Sequence, residues 1–306
     1  MLAAFFCTIL FSVSVVCGHR SAKLIGGTEA NFWRLTCASL FLGAFSYVFG
    51  IGLEGQAFPL FLLSGILGIG LGDVALFQAL PRLGSRLSML LIQCLTAPMA
   101  ALLEWLWLGT TLTSRQIVCV VTILVGVGIA LTPSEHLKLS RRELVAGTAA
   151  ALLAALGGAF GAVLSRKAYA VAHLAQQPIN GANAAFQRIV GGLLIGGICL
   201  LFVKRREFRI QASASPGMVL EVSKRKWRGV WPWVLVNSLA GQTLGVSCMQ
   251  WAFETTPTGL VLAVIATTPI VVIPFAFVFE GERPTMKSII GGVIGVAGVV
   301  VLTLSR

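Results

Sequence analysis

The chain has 306 residues, of which 57% are hydrophobic and only 11% charged, and its mean hydropathy is +0.90. A soluble domain carries roughly 25% charged residues, so a water-facing surface of ordinary composition is excluded and a polytopic membrane protein is implied. The net charge of +12, from 23 Lys and Arg against 11 Asp and Glu, would suggest nucleic acid in a soluble protein. Here eight of the 23 basic residues lie in the segment 204–228 and most of the others at the ends of apolar runs, where they report sidedness and headgroup contact.

Runs long enough to cross about 30 Å of hydrocarbon, roughly 20 residues each, fall at 2–18, 35–53, 57–80, 86–108, 115–132, 145–165, 185–203, 230–253, 258–279 and 287–304. Lipid offers backbone polar groups no partners, so these runs must be helices. The expected fold is an all-α integral membrane protein with ten transmembrane helices. The first run lacks the basic leader and small-residue cleavage site of a signal peptide and is read as a span. The third holds Gly68, Gly72 and Asp73, at a spacing unlike a dinucleotide-binding loop. The fourth carries Gln93, Thr96 and Pro98 and ends with Glu104, followed by Trp105 and Trp107. Such aromatics mark the membrane interface, so Glu104 is expected to be interfacial and solvated.

Further along, Gly157/Gly161, Gly192/Gly196, Gly241/Gly245 and Gly291/Gly295 repeat the four-residue spacing of Gly68/Gly72, which lets helix backbones approach closely. The polar segment 204–228 interrupts the spans with the densest run of basic residues. The ninth run contains Thr267-Thr268-Pro269, and Glu282 stands where a carboxylate meets the unpaired N–H groups that open the last helix. The seven cysteines are scattered through apolar runs without metal-ligand or disulfide spacing.

The chain repeats itself. Ala30-Asn31-Phe32-Trp33-Arg34-Leu35 matches Ala184-Ala185-Phe186-Gln187-Arg188-Ile189 at an offset of 154 residues. Gly68 and Gly72 match Gly241 and Gly245 at an offset of 173, and Phe77-Gln78-Ala79-Leu80 matches Gln250-Trp251-Ala252-Phe253 at the same offset. The segment 204–228 accounts for the difference. Two units follow, 1–133 and 144–306, the second carrying the insertion 204–228. Each has five spans, an odd number, so the two are expected to lie inverted in the membrane, as in secondary transporters with a site between the halves.

Two tandem five-span units, each with an Arg opening its second span, a Gly-rich third span and a Pro-bearing fourth, resemble the drug/metabolite transporter superfamily in its EamA-like ten-helix branch. Phe279-Glu280-Gly281-Glu282-Arg283-Pro284 is similar to the Leu-Gly-Glu turn that closes the fourth span there. The first half reads Leu108-Gly109-Thr110-Thr111 at that place, with Thr110 in the acid's position. The resemblance implies a transporter fold and both termini in the cytoplasm. The distribution of Lys and Arg instead favours the segments after odd-numbered spans, which would put both termini outside.

Ionisable groups inside spans are functional candidates. Asp73 reads either as a protonatable coupling site or a partner for a substrate amine, or as a helix-packing or interfacial carboxylate paired with a nearby Arg such as Arg82 or Arg86. Its repeat equivalent is Val246. Arg20 and Arg166, and Arg34 and Arg188, form two related pairs that either grip an anionic group through bidentate hydrogen bonds or snorkel to the headgroups. Gln93, Asn237, Gln242 and Gln250 are candidates for the cavity wall, Trp251 (with Trp33) for an aromatic face, and Pro98 and Pro269 for kinks or gates. No metal site and no cofactor are indicated. An intramembrane enzyme finds no H-E-x-x-H or G-x-S-x-G motif, and a non-transporting scaffold or receptor has no need of an inverted repeat. The reading reached is a secondary transporter, a permease or exporter of a small organic metabolite working by alternating access, with proton coupling at Asp73 as one variant. The partners implied are the lipid bilayer and a small-molecule solute, with no nucleic acid, as a monomer or a homodimer. The expected location is the cell (inner) membrane.

Overall fold

The computed structural model describes residues 2–131, 140–211, 227, 229–268, 270–271 and 286–304. Among the described residues every regular element is helical: α1 (Leu2–Ile25), α2 (Gly27–Phe49), α3 (Phe58–Gly65), a π-helical stretch π1 (Ile66–Leu71), α4 (Gly72–Leu108), α5 (Ser114–Leu131), α6 (Arg141–Leu174), α7 (Gly181–Gln211), α8 (Trp231–Asn237), a second π-helical stretch π2 (Ser238–Gly245), α9 (Val246–Thr255), α10 (Thr258–Ile265) and α11 (Met286–Leu304). Among the described residues six helical stretches are long and apolar enough to cross a membrane, and two shorter apolar helices, Ser114–Ile129 and Ile289–Leu302, accompany them. Large apolar side chains such as Leu40, Phe49, Leu106, Val145, Phe202 and Val293 face outward around the bundle. A patch of that extent needs a non-aqueous partner, which lipid supplies.

Local chemistry sets the joints. Gly26 alone separates α1 from α2 at φ 91°, a left-handed conformation that costs glycine nothing. At the start of α6, Ser140 Oγ accepts from the Glu143 N–H at 3.2 Å and the Glu143 carboxylate accepts from the Ser140 N–H at 3.3 Å. This reciprocal capping box satisfies two of the unpaired donors of the first turn.

The helical run of α4 covers the end of the third expected span and all of the fourth with no break between them, but it does not run straight. Gly72 and Thr96 both lie against Gly158, at 3.7 Å and 3.3 Å from ideal Cβ positions. A straight helix would separate them by about 36 Å. The chain therefore doubles back between Gly72 and Thr96, and both limbs pack along α6.

Glycines set the closest helix contacts. A Cβ on Gly161 would stand 2.8 Å from the Gly68 Cα, and one on Gly126 would stand 2.8 Å from the Gly291 carbonyl oxygen. These contacts bring α6 against π1 and α5 against α11, backbone to backbone. The two π-helical stretches occupy equivalent positions at the offset of 173: each contains the first glycine of its pair, Gly68 or Gly241; π2 ends on the second, Gly245, and π1 ends one residue before its own, Gly72. An extra residue per turn leaves backbone carbonyls without regular partners, and such bulges cluster at functional sites. Pro269 and Glu282 lie outside the described residues, as does most of the insertion 204–228.

Candidate functional site

A cavity of about 230 Å³ lies in the middle of the bundle. Its wall takes Arg34, Asp73, Gln93 and Thr96 from the first half and Arg188, Gln242, Val246, Met249 and Thr268 from the second. Both π-helical stretches reach it through Gly68 and Gly241. At this volume it is smaller than the roughly 300–1,000 Å³ that encloses a drug-sized ligand, so it suits a small solute.

Three charges meet at the wall. Arg34 Nη2 lies 2.5 Å from Asp73 Oδ2, and Arg34 Nε donates to Asn31 Oδ1 at 2.9 Å. Asp73 thus pairs across to α2, whereas Arg82 donates to the carbonyl and side-chain oxygens of Gln78; the side chain of Arg86 lies outside the described ones. Arg188, 3% exposed, donates through Nε to Ser64 Oγ at 2.8 Å. Ser64 is itself tied to Ser165 Oγ at 2.8 Å. The Arg188 Nη1 is buried without a partner, as is the hydroxyl of neighbouring Tyr169. Neither Arg34 nor Arg188 is exposed as a snorkelling side chain would be, and the two share one chamber.

The other candidates are placed elsewhere. Arg20 stacks its guanidinium 4.8 Å from the Trp233 ring centre, near the edge-on cluster of Trp33, Trp227 and Trp231. That cluster takes Trp33 away from the cavity wall. Asn237 is buried and accepts from Ser14 Oγ at 2.6 Å. Gln250 is fully buried with both amide atoms unpartnered, whereas Trp251, the next residue, is 58% exposed and turned out of the bundle. Pro98 is exposed on α4, and helical structure continues through it. Arg166 joins a different group altogether.

That group corrects the expectation for Glu104, which is 1% exposed and not solvated at an interface. Its Oε1 lies 2.7 Å from Arg166 Nε, and its Oε2 accepts from the Thr258 N–H at 2.6 Å and from the Thr258 hydroxyl. Arg166 Nη1 donates onward to the carbonyls of Phe253 and Thr256 at 2.9 and 3.0 Å. Glu104 belongs to the first half and its partners to the second. The ends of α4, α6 and α9 and the start of α10 are thereby locked together at one end of the bundle.

A second clamp closes the same end. Asn183 Oδ1, at the start of α7, accepts from the N–H groups of Ile51 and Gly52 at 2.9 and 3.1 Å, and its Nδ2 donates to the Gly52 carbonyl. Gln187 Nε2 donates to the carbonyls of Gly52 and Glu54, and Gln177 Oε1 accepts from the Gln56 N–H at 3.0 Å. The stretch 50–56 is held through its own backbone. An Asn183→Ala protein leaves the Ile51 N–H short of an acceptor, worth about 1–3 kcal/mol if it stays buried, while the Gly52 N–H keeps the Ser46 carbonyl at 3.2 Å. It is expected to be cut faster at 50–56 in limited proteolysis, while cutting elsewhere is unchanged. The lock and the clamp went unread in the sequence, although Asn180, Asn183 and Gln187 form a polar stripe at helical spacing.

The family model described as the EamA-like transporter family matches residues 1–132 and 145–304. Comparison with curated proteins finds no match. Among solved structures, one named only as the crystal structure of a protein superposes with a TM-score of 0.75 at 16% sequence identity, covering 99% of this chain and 96% of that one. At that identity the likeness concerns the fold alone.

Proposed function

We propose that this chain, which belongs to the EamA-like transporter family, is a secondary transporter of a small organic metabolite that works by alternating access. The observation that carries the proposal is the cavity: residues from both halves line it, and contacts between those halves shut one end of the bundle. Ten spans in two inverted units, 1–133 and 144–306, supply the geometry, since a rocking of one unit against the other exchanges which end is closed. The cell (inner) membrane is the proposed location.

Cavity charge supports a bound solute. Arg34 and Asp73 satisfy one another, and among the described residues the hydrogen-bond partner of Arg188 is the neutral Ser64. Polar groups buried at the midplane are expensive and belong to pathways. Gln93, Thr96 and Gln242 add neutral hydrogen-bonding groups that can fix a solute's orientation.

Proton coupling is assigned to Asp73. It is the acid on the cavity wall, and breaking its pair with Arg34 would free it to exchange a proton. Proteoliposomes loaded with a metabolite pool and given a pH gradient of either sign test both parts. Protein-dependent release that responds to the gradient, with the response lost in Asp73→Asn, is the expected result. Release that ignores the gradient removes the coupling, and an absence of protein-dependent release removes the transport reading.

A further inference from the structure

The two arginines on the cavity wall stand at equivalent positions of the repeat, 34 and 188, at the offset of 154. Each is packed by the Gly-rich span of the opposite half. Ser238 Oγ donates to the Arg34 carbonyl at 2.9 Å. At the equivalent position Gly65 presses on the Arg188 carbonyl, where a Cβ would collide. The surroundings of the two arginines thus correspond as their sequences do.

The counter-ion breaks this correspondence. Asp73 is the second residue after π1 and pairs with Arg34. Val246 is the first residue after π2, stands at the offset of 173 from Asp73, and lines the same cavity. Among the described residues Arg188 therefore has no ion-pair partner of its own, although Asp73 lies near enough for its charge to be felt. Its Nε is used by Ser64, and its Nη1 is buried without a partner. A buried guanidinium lacking a carboxylate is costly to keep, and a carboxylate supplied by a ligand forms the strongest hydrogen bonds open to it.

We propose that the solute supplies this missing counter-ion: it is a small monoanionic carboxylate whose oxyanion pairs with Arg188 beside Val246, in the place that Asp73 takes beside Arg34. The assignment rests on the transport reading above and names its substrate class. Two guanidinium groups and one carboxylate leave the chamber with one excess positive charge, which a monoanion neutralises. A phosphate monoester would overshoot, since it carries close to two negative charges at neutral pH, and an amine would add to the excess. The rest of the solute meets the apolar wall of Met89, Ile92 and Met249, and the volume of about 230 Å³ keeps it small.

The test uses the full chain in proteoliposomes. They are loaded with a pool of small organic compounds in four matched classes: monocarboxylates, their primary amides, the corresponding amines and the corresponding phosphate monoesters. Release above protein-free liposomes is read by mass spectrometry. Monocarboxylates are expected to dominate the protein-dependent release. Arg188→Gln should lower that release by about 10- to 100-fold, the loss of one charge-assisted hydrogen-bonded partner. Val246→Asp, which gives the second half the carboxylate the first already has, should suppress it similarly. Preferential release of amides, amines or phosphate esters overturns the substrate class and leaves the transport reading standing. Wild-type monocarboxylate release from a folded Arg188→Gln or Val246→Asp protein also overturns it. No protein-dependent release of any class overturns the transport reading with it. The wild-type preference among classes is read without any variant, so poor folding of either one does not weaken the test.

Discussion

A Glu104→Ala protein is expected to lose about 3 kcal/mol or more of stability, the usual cost of removing one partner of a buried ion pair. Two groups are stranded at once. The Arg166 guanidinium loses its carboxylate, and the Thr258 N–H and hydroxyl lose a common acceptor. Thermal denaturation of the purified protein in detergent reads the loss as a lowered midpoint. Glu104→Gln should fall between the two, because an amide oxygen still accepts from Thr258 while the charge pairing is gone. These contacts join the two halves at the closed end. In alternating access they exist in one state only, so the same energy shifts the equilibrium toward the other state by about 100-fold. A Glu104→Ala protein that melts with the wild type would mean that the carboxylate is solvated after all.

The second large effect is steric. Gly161→Ala places a methyl group 2.8 Å from the Gly68 Cα and 3.0 Å from the Ser64 carbonyl oxygen. Backbone cannot yield as a flexible side chain can, and overpacking of this kind costs about 1–3 kcal/mol. Ser64 and Gly68 both contact Arg188, so transport should suffer along with stability. Gly128→Ala is the control: a Cβ there meets nothing within 4 Å, and replacing a helical glycine by alanine gains up to about 1 kcal/mol. Opposite signs for the two substitutions in one melting series are the expected result. Equal effects would mean that the glycine pairs do not set the helix spacing.

The architecture was legible because lipid simplifies the problem. Apolar length gives the helical runs, and repeated glycines and arginines give the two-unit organisation. Arg34, Asp73, Gln93, Arg188 and Gln242 line the cavity, since a charged or amide side chain within a span has few places to go except inward. What sequence position alone left undecided was the helix face. Trp105 and Trp107 are largely exposed, and their presence suggested an exposed Glu104. Aromatic neighbours report depth, whereas successive residues on a helix point about 100° apart, which turns Glu104 inward. The same rotation separates buried Gln250 from exposed Trp251. Arg20 and Arg166 were grouped with the site through pairing by symmetry, but each found an aromatic or acidic partner outside the cavity. The π-helical stretches left a weaker sign, the matched glycine pairs, which by themselves say only that helices pack closely.

Alternating access requires the end closed by Glu104, Arg166, Asn183 and Gln187 to open during each cycle. Gln56 and Gln177 are exposed there and joined by a hydrogen bond of 3.0 Å, so cysteines at both positions can be bridged by a short bismaleimide. The background would have Cys94, Cys199 and Cys248 replaced, since these native thiols are only partly buried. Release of the four-class compound pool from proteoliposomes is then measured before and after bridging, with each single cysteine as its control. Alternating access predicts that bridging stops protein-dependent release while the single-cysteine proteins keep it; undiminished release from the bridged protein would contradict the account.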